Sequence, residues 1–352
     1  MKTIAIIGMG TGLATLTGEG LAAIEKAEVL LGAPRMLEAF ADLNKPSFPE
    51  YQPEKAVKLI QERKESRFAI LVSGDVGFYS GARGLAKALS HYSVEMIPGI
   101  SSMNYFFAKL KLPWQNAALL SLHGRTGNLA DWVRRNPLTF VLTGGNGGLL
   151  GEKLTETGFG SLQVHIGENL GTEKERIYSS PAKTLSALEI APLSVMLVEN
   201  PHWDDRIPTG IPDDRFLRGK VPMTKREIRA IVMGKLRLSP NEICLDAGAG
   251  TGSVTVEMAL SAWKGRVYAI DQKPEAIHLI QENCRAFHIG NVTPILGELP
   301  DAIRDLPPVN AAFIGGSGGK LKEILRELLK KNPQTRIVIS AIALESVHAA
   351  IQ

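Results

Sequence analysis

Asp246-Ala247-Gly248-Ala249-Gly250-Thr251-Gly252 follows directly on the apolar run Ile243-Cys244-Leu245. An apolar run, then closely spaced glycines, then a helical pattern reads as strand, tight turn and helix. Glycine has no Cβ, so the backbone of such a turn can approach a bound molecule closely. The spacing is not the dinucleotide fingerprint, whose third glycine comes one residue later. A second glycine loop, Ile7-Gly8-Met9-Gly10-Thr11-Gly12, follows the apolar run Thr3-Ile4-Ala5-Ile6-Ile7. The two loops lie roughly one domain apart and are not copies of each other. Two small-molecule sites on two scaffolds predict an enzyme that carries out two related steps.

Outward from Asp246, strands are predicted at residues 242–245, 266–270, 292–295, 311–314 and 336–339, with helices between them and a short helix at 344–350. This alternation reads as a parallel, Rossmann-like sheet. A helix is predicted at residues 224–235, with Thr224 as N-cap and Glu227 at the capping-box spacing. Asp271 closes the second strand, where a carboxylate can accept two hydroxyl hydrogen bonds. Phe313-Ile314-Gly315-Gly316-Ser317-Gly318-Gly319 ends the fourth strand, at the switch point where such sheets meet their substrates. Gly297-Glu298-Leu299-Pro300 follows the third strand and reads either as a cofactor-side loop or as a simple turn.

Outward from Gly8, strands at residues 3–7, 28–31, 67–72 and 93–97 alternate with helices at 13–27, 34–40, 57–63, 81–90 and 103–110. This grammar predicts a doubly wound sheet. Strands at 117–122, 139–142, 163–167 and 195–199 form a second αβ lobe, with the turn Gly144-Gly145-Asn146-Gly147-Gly148 inside it. Pro201, Pro208, Gly210, Pro212 and Gly219, with Asp204-Asp205 and Asp213-Asp214, mark a linker. The expected division is a first domain at residues 1–200, a linker at 201–220 and a second domain at 221–352.

The 352 residues suffice for two ordinary domains, and 44% hydrophobic with 22% charged content reads as globular. A net charge of +4 is too small to argue for nucleic acid, and no apolar run approaches the length of a membrane span. The two cysteines, Cys244 and Cys284, fall in a predicted strand and a predicted helix. That argues against a disulfide and for a reducing, cytoplasmic setting. The chain opens on a strand, without the charged and apolar segments of a signal peptide. The seven histidines are scattered and suggest no metal site. A homo-oligomer is expected.

The Asp246, Gly248, Gly250 and Gly252 pattern resembles motif I of class I S-adenosylmethionine methyltransferases, and Asp271 stands where their ribose-binding acid stands. In the first domain, Ser73-Gly74-Asp75-Val76-Gly77-Phe78-Tyr79-Ser80 and Pro98-Gly99-Ile100-Ser101-Ser102 each follow a strand. With the loop at Gly8 they resemble the tetrapyrrole methylases, the class III methyltransferases. Val76 replaces the usual proline of that family, and Thr11-Gly12-Leu13 replaces its Pro-Gly-Asp. The resemblances imply S-adenosyl-L-methionine as cofactor in both domains. The first site would use Gly8, Gly10, Gly12, Asp75, Val76, Tyr79, Ser101 and Ser102. The second would use Asp246, Gly248, Gly250, Gly252, Asp271 and Glu298, with Gly315, Gly316, Ser317 and Lys225 toward the substrate. Arg83, Arg125 and Arg226 are further candidates to clamp substrate carboxylates, each weighed against a plain solvated charge. His123 reads as a core or turn histidine. The cofactor cleft of the first domain is expected between its two lobes, with residues 117–122 and 144–148 on the far wall.

The order of the two domains resembles a family of fused methyltransferases of cobalamin biosynthesis. It implies a tetrapyrrole substrate, precorrin-6B. The first domain would methylate C5; the second would methylate C15 and remove the carboxyl group of the C12 acetate. A class I sheet usually closes with two further strands, so the second domain is expected to lack its last strands and to leave residues 336–339 as an exposed apolar edge. The alternatives are a methylase of another tetrapyrrole or acceptor, and a second domain that binds cofactor without catalysis.

Overall fold

A computed structural model describes residues 2–124, 127–341 and 344–351. Strands β1 (Thr3–Gly8), β2 (Val29–Gly32), β3 (Ser47–Phe48), β4 (Arg67–Val72) and β5 (Ser93–Ile97) form the first sheet. Their order is β3-β2-β4-β1-β5 and every pairing is parallel. Helices α1 (Gly18–Lys26), α2 (Pro34–Glu38), α3 (Pro53–Glu62), α4 (Ala82–Ala88) and α5 (Ser102–Leu110) connect and cover it. Both faces of β1 and β4 are buried, which is why their sequences are continuous apolar runs. The single helix expected at residues 13–27 is broken. Thr17 accepts a hydrogen bond from Gly20 N and starts α1 afresh, after a short 3-10 turn at Leu13–Thr15.

The second lobe is a mixed sheet of β6 (Ala117–Ser121), β7 (Leu138–Leu142), β8 (Gln163–Glu168), β9 (Arg176–Pro181) and β10 (Ser194–Glu199), in the order β6-β7-β10-β8-β9. Only β6 and β7 pair in parallel. The sequence reading missed β9, whose polar residues pair with β8 at a sheet edge. One face of this sheet packs Phe140, Val195 and Leu197 against Phe106 and Phe107 of α5. The opposite face packs Val141, Val164, Ile166 and Met196 against α6 (Leu129–Arg135) and α7 (Gly147–Glu156).

The second domain holds β11 (Ile243–Ala247), β12 (Arg266–Asp271), β13 (Val292–Leu296), β14 (Ala311–Ile314) and β15 (Arg336–Ile339). All pairings are parallel, in the order β13-β12-β11-β14-β15. Around it lie α8 (Arg226–Leu236), α9 (Ser253–Ser261), α10 (Pro274–Ala286), α11 (Leu321–Lys331) and α12 (Leu344–Ile351). Residues 336–339 are half-buried rather than exposed: Ile337, Val338 and Ile339 pack against the cores on either face of the sheet. The expected cap Thr224 is also displaced. Helix α8 begins after Lys225, because the Thr224 carbonyl is held by the Arg229 guanidinium one turn on.

The expected linker is not a free tether. Ile211 and Phe216 are buried in the second domain's core, and Val221 packs against Ala276 and Leu279 of α10. The second domain docks on the second lobe through two patches. Trp132 of α6 meets Trp263 edge-on at 5.3 Å, and Asn128 donates to the Trp263 carbonyl at 3.0 Å. Phe159 stacks on His288 at 4.3 Å, while His288 Nδ1 lies 2.8 Å from the Thr157 carbonyl.

Candidate active sites

Strands β4, β1 and β5 lie side by side, so the loops after Val72, Gly8 and Ile97 meet at one edge of the first lobe. Gly10 and Gly74 exchange backbone hydrogen bonds at 3.1 and 3.0 Å. A Cβ on Gly99 would sit 2.4 Å from the Gly74 carbonyl oxygen, and one on Gly8 would sit 2.6 Å from the same atom. Three loop backbones therefore touch where any side chain would part them. Gly10 has φ +66°, and its Cβ would meet Thr15 Oγ1 at 2.2 Å. Thr15 Oγ1 accepts from Thr11 N at 2.8 Å and Gly12 N at 3.1 Å, and donates to the Gly12 carbonyl at 2.8 Å. A Cβ on Gly12 would lie 2.7 Å from the carbonyl oxygen of Gly171 in the second lobe. The room beside Gly8, Gly10 and Gly12 is thus filled by protein. These glycines set the path of the loop, and Thr15 and Gly171, which no local pattern singles out, complete it.

Asp75 ties two of the loops together: Oδ1 accepts from Gly77 N at 2.8 Å and Oδ2 from Gly99 N at 3.2 Å. Tyr79, at φ +48°, reaches across to the second lobe and donates its hydroxyl to the Leu119 carbonyl of β6 at 2.9 Å. Ser101 is buried and caps α5 by accepting from Asn104 N, and Ser102 opens that helix half-buried. Val76 turns into the core beside β4 and α4. Strand β6 meets the first lobe through Leu119, which packs beside α5 and whose carbonyl takes the Tyr79 hydroxyl. Of the glycines at 144–148, Gly144 and Gly145 are exposed, Gly144 beside the His123 backbone, while Gly147 is buried against Ile190 and Met196. Leu13, Tyr79 and Ile100 are 54%, 46% and 41% exposed, so each of the three loops leaves a large apolar side chain in solvent at the mouth.

In the second domain the carboxyl ends of β11 to β14 surround a cavity of about 570 Å³. Gly248, Gly250, Asp271, Gly297, Glu298, Gly315, Gly316 and Ser317 line it, and residues 221–225 with Ile228 close one side. Asp271 Oδ2 accepts from Gly250 N and Oδ1 from Lys273 N, both at 2.9 Å. Each oxygen keeps further acceptor capacity. Gly248, at φ +74°, passes so close to Gly316 that a Cβ would lie 2.7 Å from its carbonyl oxygen. Gly250, at φ +57°, packs on the Pro222 carbonyl in the same way.

Two residues of the glycine motif stand apart from the cavity. Asp246 is wholly buried beneath the loop, where Thr255 Oγ1 donates to its Oδ2 at 2.6 Å and Oδ1 has no hydrogen-bond partner among the described residues. Burial pushes its carboxyl up to about 7, with the charge of Asp271 adding to the effect. Gly252, at φ +77°, lets α9 pack on Ile280 of α10.

Two of the cations on the wall are paired with acids. Glu298 lies 3.4 Å from Lys320 and Lys225 lies 3.6 Å from Asp213. Lys320 was legible as the cation directly after the glycine run, but was passed over. Arg226 donates to the Gly210 carbonyl at 2.8 Å. Arg83 is exposed on the first turn of α4, His123 is exposed just past β6, and Arg125 lies outside the described residues. Behind Lys225 runs a buried network that sequence reasoning missed. Arg229 Nε bonds Glu257 Oε1 at 3.0 Å, Arg229 Nη1 bonds Asp213 Oδ1 at 2.9 Å, and the guanidinium also takes the Ile211 carbonyl. Glu257 in turn accepts from Gly210 N and Ile211 N, both at 2.9 Å.

Fold and sites together define two methyltransferase scaffolds in one chain. The model of the tetrapyrrole (corrin/porphyrin) methylases matches residues 3–186, and that of the precorrin methyltransferase domain matches residues 215–352. The precorrin-6Y C(5,15)-methyltransferase [decarboxylating] of Sinorhizobium sp is 30% identical over 96% of this chain and 84% of its own. A probable cobalt-precorrin-6B C(15)-methyltransferase (decarboxylating) of Sulfurisphaera tokodaii is 45% identical over 42% of this chain and 77% of its own. The solved precorrin-6y C5,15-methyltransferase from Geobacter metallireducens is 36% identical over 40% of this chain and 76% of its own, with a TM-score of 0.39. This chain belongs to the family of decarboxylating precorrin-6Y C5,15-methyltransferases.

Proposed function

We propose that the chain methylates precorrin-6B at C5 in its first domain and at C15 in its second, and that the second domain also removes the carboxyl group of the C12 acetate, in cobalamin biosynthesis. The observation that carries this reading is the coexistence of two unrelated sites at the carboxyl ends of two sheets, in a chain similar along nearly its whole length to an enzyme named for both positions.

The residues fit S-adenosylmethionine in the second domain. The cavity is of ordinary size for such a ligand. It is bordered by backbone that only glycine permits at Gly248 and Gly250, and a carboxylate with spare acceptor capacity sits at its rim. When bound, S-adenosylmethionine supplies an activated methyl group whose bond to sulfur breaks as the bond to the macrocycle carbon forms, the sulfur keeping the electron pair. Asp271 would orient the ribose hydroxyls, while Gly248 and Gly250 fix the floor of the pocket. Gly315, Gly316 and Ser317 would face the substrate across it. Lys225 and Lys320 supply cations for a polycarboxylate; Lys320 is paired with Glu298, while Lys225 shares Asp213 with Arg218 and Arg229. In the first domain Asp75 holds two of the loops that would cradle the cofactor. The exposed Leu13, Tyr79 and Ile100 offer apolar contact to a macrocycle face. The chain's work in both domains is alignment and exclusion of water.

A reducing, cytoplasmic setting fits the two cysteines, both buried and free, with burial pushing both thiols up to about 12. Mass spectrometry of precorrin-6B after incubation with enzyme and S-adenosylmethionine reads the methyl gains and the loss of carbon dioxide directly. An unchanged macrocycle would refute the reading.

A further inference from the structure

The second domain meets the first through the wrong end of its sheet for a direct hand-over. Its docking residues, Trp263 and the pair His288 and Gly290, lie in the loops that lead into β12 and β13. These are the amino ends of the strands. The cavity is formed by the loops that leave β11 to β14, at the carboxyl ends. A strand of this length puts roughly 17–20 Å between the two ends.

On the other side of the joint, the docking surface is α6 and the segment Thr157–Phe159 that follows α7. Trp132 and Phe159 belong to the core that α6 and α7 make with one face of the second lobe's sheet. The first site lies against that lobe through Gly171 and Leu119. The helix next to it, α5, packs on the opposite face, through Phe106 and Phe107 on Phe140. A sheet and a helix layer, each about 10 Å thick, therefore stand between the first site and the second domain, and the second cavity opens beyond that again.

We infer that the two sites of one chain face apart, so the singly methylated product of one domain is released into solvent and rebound by the other, with no internal passage. This rests on the two-site reading above. Docking through the amino ends leaves both mouths unobstructed, so each site would also accept its substrate from outside the chain.

The test uses two full-length variants on opposite sides of a dialysis membrane that passes the macrocycle but not protein. Gly10→Val disables the first site, and Gly248→Val, whose Cβ at φ +74° would lie 2.7 Å from the Gly316 carbonyl oxygen, disables the second. Each is first checked alone: each should still add the one methyl of its intact domain. If neither variant methylates anything, the assignment of function is at fault and not this inference. With each intact site active, doubly methylated, decarboxylated product should form across the membrane at a rate within about tenfold of the same variants mixed in one compartment. Product that forms only in the shared compartment would overturn the inference, because it would show a hand-over that requires contact between protein molecules.

Discussion

Arg229 and Glu257 form an ion pair with neither side chain exposed, Nε to Oε1 at 3.0 Å, and between them they hold both ends of the strap that runs from Gly210 to Asp213. Removing one member of a buried pair strands the other charge in a low-dielectric core. Glu257→Ala should therefore destabilise the second domain by about 3–5 kcal/mol, and Arg229→Met by a similar amount. The double variant should lose less than the sum, because no uncompensated charge is left. Urea unfolding followed by the second domain's transition measures all three. Single variants within about 1 kcal/mol of the parent, the noise expected of minor substitutions, would show that the pair does not hold the strap.

The first glycine loop should be intolerant at one position and tolerant at another close by. Gly10→Val places a branched side chain at φ +66° with its Cβ 2.2 Å from Thr15 Oγ1. It should abolish C5 methylation and leave C15 methylation intact, since the two cores are separate. Gly18→Ala has open space and an ordinary φ, and should change neither. Position-resolved product analysis distinguishes the outcomes.

Asp271→Ala should weaken S-adenosylmethionine binding at one site only, by about 1.5–3 kcal/mol for hydrogen bonds to a charged group. It also releases Gly250 N, so the loop should loosen as well. Calorimetric titration of the intact chain should resolve two sites, with one displaced in the variant. A single site, unaltered by the change, would remove the two-site reading.

Asp246 should make the second domain less stable as pH rises. Its folded carboxyl is pushed up to about 7 from an ordinary 3.8 by burial. The folded state therefore binds more protons than the unfolded state between those values, and stability is lost as pH climbs through the window. Asp246→Asn removes the titrating group and should flatten the dependence between pH 4 and 7, with no such difference below pH 4. Denaturant midpoints across pH check this. Parallel curves for parent and variant would mean that Asp246 is ionised throughout.

The strands and the loops that follow them were legible because buried parallel strands are continuous apolar runs and loops at their ends are punctuated by glycine. Gly8, Gly248 and Asp271 could be read that way. What the glycines touch could not. Their neighbours are Gly74 and Gly99 in one case and Gly316 in the other, brought close only by strand order. The breaks at Thr17 and Lys225 were missed because hydroxyl capping and the grip of Arg229 on Thr224 outweigh hydrophobic period. Arg229 and Glu257 stand 28 residues apart on different helices, with nothing local to distinguish them from surface charges. Asp246 was read as a ligand contact from its motif, but strand pairing carries it under the loop.

The burial of Ile211 and Phe216 narrows the seam of the molecule to the middle of the stretch the prolines mark. Asp204 is still tied to α6 through reciprocal backbone and guanidinium bonds with Arg134, and Gly210 is already gripped by Glu257. Only Asp205, Arg206, Ile207, Pro208 and Thr209 run between the two anchorages. A protease nick or a gene break within those five residues would sever the polypeptide without opening either core. The fragments would remain joined by Trp132 on Trp263 and Phe159 on His288. A break ten residues later would take the strap away from the half that needs it, so the same enzyme can be made as two polypeptides only if the division respects that boundary.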